Sequence, residues 1–152
     1  MNLPLWQQSI LVFSFIYALV SFYEGYINCK HKRGAFLITP QYYVLGAFVW
    51  GDALVFGLFW MSINATTFFL NDWLLWLLII AVFWSMRGIG ESIFWFNQQF
   101  STIHRYPPHT LPGYPLFGND AIWFVYQIIA QCVSVVAIVF SIYFSHLWLQ
   151  TL

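Results

Sequence analysis

The chain reads as an all-α membrane protein, four transmembrane helices in a compact bundle, on three grounds. Of its 152 residues, 61% are hydrophobic and only 7% charged, where a soluble domain carries about a quarter charged residues. Four continuous apolar stretches reach the ~20 residues that a helix needs to cross the hydrocarbon core. None alternates in the manner of membrane-barrel strands, and a helix satisfies its own backbone hydrogen bonds in lipid.

The spans are expected at about 5–27, 42–68, 73–96 and 121–146, within a single domain covering 1–152. The first opens as "MNLPLWQQSILVFSFIYALV". It lacks the basic start and the small-residue cleavage site of a secretory signal, so it is expected to be retained. The second carries Gly46, Ala47, Gly51 and Gly57, small enough to let a neighbouring backbone approach closely. Its "NAT" at Asn64 has the form of a glycosylation acceptor, but it lies at the end of a span and reads as a chance match.

The third span contains "FWSMRGIGESIFWFNQQF", with Arg87, Gly88, Gly90 and Glu91 inside an apolar run. The two glycines predict either close helix packing or a locally opened backbone. A helix broken here would present its dipole ends to a ligand. The fourth span lines up Ala130, Ser134, Ala137, Ser141 and Ser145 at helical spacing, a stripe for close helix contact. Trp6, Trp73, Trp123 and Trp148 fall at span ends, where indole rings favour the headgroup zone.

Four of the five Lys and Arg residues (Lys30, Lys32, Arg33 and Arg105) lie in the connections 28–41 and 97–120. The positive-inside rule makes these connections cytoplasmic and puts both termini on the other side. The second of them, "HRYPPHTLPGYPLFGND", holds too many prolines for a helix. Its aromatic residues predict a loop that folds back on the bundle, and loops of this length are often functional. Glu24 and Asn28 before "KHKR" echo Glu91 and Asn97 before "HR", as two copies of one hairpin would.

The intramembrane polar residues define the candidate site. By span limits Asp52 falls near the midplane of the second helix, Arg87 near the centre of the third, Glu91 a turn deeper and Glu24 in the inner third of the first. Gln127 and Gln131 share a face of the fourth. A charge at the centre of a span costs about 2.5–3.5 kcal/mol, so these groups are expected to face inward and pair. Arg87 can reach Glu91 along its own helix, and Asp52 with Arg87 is the expected buried pair. Three carboxylates share one guanidinium, which points to a protonated acid, a bound cation or a basic substrate.

The preferred function is therefore binding or translocation of a small solute, ion or lipid at Asp52, Arg87, Glu91, Glu24, Gln127 and Gln131. An alternative is a non-catalytic subunit whose buried polar residues assemble with another membrane protein; a third is a lipid-modifying membrane enzyme. No catalytic residue and no cofactor are named. Cys29, His31, His104 and His109 on the cytoplasmic rim are a secondary metal set, although their spacing matches no zinc motif. No histidine sits mid-span, which disfavours haem. Zero formal charge excludes a nucleic-acid binder. The expected partners are the lipid bilayer and a second copy or another membrane protein. The expected location is a bacterial inner membrane or another cellular membrane.

Overall fold

The computed structural model describes residues 3–32 and 34–151; Arg33, counted above among the loop cations, lies outside them. It contains α1 (Leu5–Cys29), α2 (Trp50–Leu70), α3 (Trp73–Phe100), the one-turn α4 (Tyr114–Phe117) and α5 (Ala121–Leu149), with short 3-10 turns in the connections. Four of these helices are long and apolar enough to cross a membrane, as an integral membrane protein requires. The chain divides into two compact units, Met1–Leu77 and Leu78–Leu152, α3 running from one into the other.

In the first unit, α1 and α2 pack through their smallest residues. Ala18, Ser21 and Gly25 are buried on one helix, and Ala53 and Gly57 on the other. A Cβ on Gly25 would stand 2.5 Å from the Leu54 amide nitrogen, and one on Gly57 would stand 2.6 Å from that of Phe22. The two backbones are thus in van der Waals contact, the geometry by which helices associate where lipid removes any hydrophobic drive between them. Ser21 Oγ adds a hydrogen bond to the Ala53 carbonyl at 3.3 Å. Asn71 closes α2 in the left-handed region (φ 54). Asp72 then caps α3 by accepting the Leu75 amide at 2.9 Å, as N-terminal carboxylates do.

The second helix starts later than its hydropathy implies. Residues 42–49, expected inside the span, belong instead to a hairpin that folds back along the helix pair. Its legs meet at an Ile38–Val49 bridge and at the bond from the Thr39 amide to the Phe48 carbonyl. Its tip is a 3-10 turn, Pro40–Leu45, begun by a proline and ended by Gly46 at φ 73. The apolar run is continuous because this tip buries Tyr42, Leu45 and Ala47, so mean hydropathy does not separate hairpin from helix. Pro40 and Gly46 are what do.

The second unit pairs the rest of α3 with α5. The small-residue stripe behaves as expected: Ala130, Ser134 and Ala137 are buried and face Ala81, Ser85 and Gly88. A Cβ on Gly88 would overlap Ser134 Oγ and lie 2.8 Å from the Ala130 carbonyl oxygen. Ser85 and Ser141 share a hydroxyl–hydroxyl bond of 3.3 Å. Gly90 has nothing within 4 Å of such a Cβ, so of the two glycines only Gly88 makes room. Nor is the helix broken there, since α3 is continuous through Arg87–Glu91.

The proline-rich connection folds back as its aromatics predict. Trp95, Leu111, Ile122 and Trp123 form a buried cluster with Tyr106 and Tyr126 against it. Trp123 Nε1 donates to the Tyr106 carbonyl at 3.0 Å, and Tyr126 Oη donates to that of Pro112 at 3.0 Å. Trp123, expected as a headgroup anchor, is only 4% exposed. It is an α5 residue of this core cluster, buried by the connection that folds over it.

Candidate functional site

Each unit holds a polar cluster on otherwise apolar helices, and the sequence-predicted residues divide between them. The second unit carries Arg87, Glu91, Gln127 and Gln131. Arg87 Nη2 pairs with Glu91 Oε1 at 3.0 Å, both side chains 17% exposed. The other carboxylate oxygen, Oε2, accepts Trp95 Nε1 at 3.0 Å. One turn on, Gln99 Nε2 donates to the Trp95 carbonyl at 3.2 Å and to Gln127 Oε1 at 2.7 Å. Residues 87, 91, 95 and 99 follow one another at i,i+4, so one face of α3 is a polar ladder. Its last rung joins α5.

The pairing of Arg87 with Glu91 keeps the net charge of the ladder near zero. That lowers the cost of holding two ionised groups in an apolar span, and the Trp95 indole satisfies the remaining oxygen. Gln131, one turn beyond Gln127 on the same face of α5, is exposed where Gln127 is half-buried. Gln98, beside the ladder, turns to the connection instead, its Oε1 accepting the Arg105 amide at 3.1 Å.

The first unit carries Glu24 and Asp52. Glu24 Oε2 accepts Tyr42 Oη at 2.8 Å, tying α1 to the hairpin. Asp52 sits in the first turn of α2, a correction to its expected place near the helix middle. There Oδ2 accepts the Phe48 amide at 3.2 Å, and a carboxylate in a first turn is favoured by the helix dipole. Tyr17 Oη donates to the Gln41 carbonyl, and Trp60 Nε1 to that of Leu45 at 3.0 Å. Thr39 Oγ1 closes the hairpin on the Ala47 carbonyl at 3.0 Å.

Asn64 is buried, its amide donating to the Trp60 carbonyl at 2.7 Å while its oxygen accepts Trp76 Nε1 at 2.9 Å.

Of the rim residues, His31 and His109 are exposed and Cys29 is half-buried, while the His104 ring lies 4.5 Å from that of Trp123. Among the described residues no three His, Cys, Asp or Glu side chains are grouped to hold a metal ion.

Residue typing alone missed Tyr42, Trp95 and Gln99. For Trp95 and Gln99 a signal existed: both continue the i,i+4 register that links Arg87 to Glu91. Tyr42 had none, since the hairpin that carries it reads as helix. Compared with protein-family models, curated proteins and solved structures, the chain matches none of them.

Proposed function

We propose that the protein binds or translocates a small solute, ion or lipid headgroup through the polar ladder of its second unit, anchored by Arg87 and Glu91. The observation that carries this reading is the Arg87–Glu91 pair at 3.0 Å on an apolar helix. Even paired, two charged groups in an apolar span cost more than the apolar residues that packing alone requires. The pair also lies at the head of a row of exchangeable hydrogen-bonding groups, Trp95, Gln99 and Gln127. A ligand anion competes for the guanidinium, a ligand cation for the carboxylate, and the displaced partner keeps the indole or amide beside it. Glu24 and Asp52, the carboxylates of the first unit, bond to Tyr42 Oη and to the Phe48 amide.

The test is a thermal-shift panel of small cations, carboxylates and phosphates on the purified protein, repeated on Arg87→Gln and Glu91→Gln. The expected outcome is at least one ligand class that stabilises the parent and fails to stabilise both variants, with helix content unchanged. Variants that unfold in detergent, from a parent that responds to no class, would make the ladder a structural device.

A further inference from the structure

We propose that the first connection is a re-entrant, lipid-binding element: its tip lies among acyl chains and its basic base holds anionic phospholipid headgroups. The argument is independent of the polar ladder and starts from register. Gly25 abuts Ala53–Leu54, and Gly57 abuts Phe22. In this antiparallel register Cys29, which ends α1, is level with Trp50, which begins α2. The connection therefore leaves and returns at one height.

Between those points it does not stay there. The Gln41 carbonyl reaches Tyr17, about 18 Å of helix rise before Cys29. The Leu45 carbonyl reaches Trp60, about 15 Å of rise beyond Trp50. Both helices hold the 3-10 tip well inside the apolar zone that they themselves define.

Non-helical backbone at such depth is tolerated only where its polar groups are satisfied by protein or water. Here they are: Tyr17, Trp60, Thr39 and Asp52 all bond hairpin backbone groups. On the outward side of the hairpin Val44 is 75% and Leu37 61% exposed, with Gln41 the exposed polar residue of the tip. Water is a poor solvent for such a tip and hydrocarbon a good one.

The base is the opposite. Lys30, His31 and Lys32 are exposed, and no Asp or Glu occurs between Lys30 and Val49. The Lys30 ammonium lies 4.1 Å from the centre of the Tyr26 ring, which fixes its stem along α1 at the end of the span. Cations just outside a span, beside an apolar wedge and with no acid in the connection itself, complement a phosphate-bearing anionic lipid.

The test uses full-length protein in a Cys29→Ser, Cys132→Ser background, reconstituted into phosphatidylcholine vesicles with or without phosphatidylglycerol. A nitroxide on Val44→Cys is expected to collide with oxygen far more than with a water-soluble nickel complex, and to read deeper than one on Leu37→Cys. Free access of the nickel complex overturns the re-entrant tip. Dipolar broadening between labels also overturns it, since that makes a second copy the cover. Native mass spectrometry of the unlabelled protein is expected to show phosphatidylglycerol retained over phosphatidylcholine. Lys30→Gln and Lys32→Gln should each reduce that preference roughly fivefold. Equal retention of the two lipids, or a preference unmoved by both substitutions, overturns the headgroup site.

Discussion

Gly88 and Gly90 stand two positions apart on one helix and have opposite surroundings. A Cβ at 88 meets the Ala130 carbonyl and Ser134 Oγ, and one at 90 meets open space. Gly88→Ala is therefore expected to destabilise the second unit by about 1–3 kcal/mol, the usual cost of overpacking. Gly90→Ala should be neutral or stabilising by up to ~1 kcal/mol, through helix propensity alone. Chemical denaturation followed by helix content checks both, and equal effects would contradict the packing described. The Arg87–Glu91 pair was legible in the sequence because i,i+4 spacing fixes it whatever surrounds the helix. The difference between the two glycines was not, since it depends on which face α5 covers. Asp52 differs from its expected depth for a related reason: hydropathy puts the span limit at residue 42, eight residues before α2 begins.

The hairpin between α1 and α2 is the element that sequence reading did not separate. Its residues are as apolar as those of the helix that follows, because both exclude water. Only Pro40 and Gly46 distinguish them. The proline-rich connection of the second unit, by contrast, is legible as a folded loop, since prolines 107, 108, 112 and 115 exclude a long helix and leave only the single turn Tyr114–Phe117, with Pro115 in its first turn. The first hairpin is held by side chains reaching from both helices, so its stability is separable from theirs. Tyr42→Phe removes the bond to Glu24, and Trp60→Phe removes the bond to the Leu45 carbonyl. Each is expected to cost about 0.5–1.5 kcal/mol locally. Hydrogen exchange should quicken at residues 37–49 in both variants, with protection in the middle of α1 unchanged. Uniform acceleration across the unit would show that hairpin and helix pair open together.

For the whole chain, the count of spans and the apolar character of each followed directly from composition and run length, and the four long helices agree with them. Each unit is a helix, a folded connection and a returning helix, and each brings a glutamate to its polar cluster. This similarity of plan is what the Glu24/Asn28 and Glu91/Asn97 echo would produce. Orientation rests on the lysines and arginines alone. Cysteines placed at Thr102 and Thr151 in a cysteine-free background should label from opposite sides of intact cells or spheroplasts. Thr151 is expected to react from outside and Thr102 only after permeabilisation. The reverse pattern would invert the protein and move the anionic-lipid site to the other leaflet.

The late start of α2 also bears on how the chain is threaded into a bilayer. Insertion machinery that senses hydrophobicity meets residues 42–70 as one apolar run, longer than a span needs. The same ambiguity that blurs the hairpin in the sequence then exists for the cell. A helix begun at residue 42 would carry the Asp52 carboxylate toward the midplane, where a charge is costly, whereas one begun at Trp50 keeps it in the first turn. The chain must then turn back on itself at Pro40–Gly46, and the turn can lock only after Trp60 has emerged.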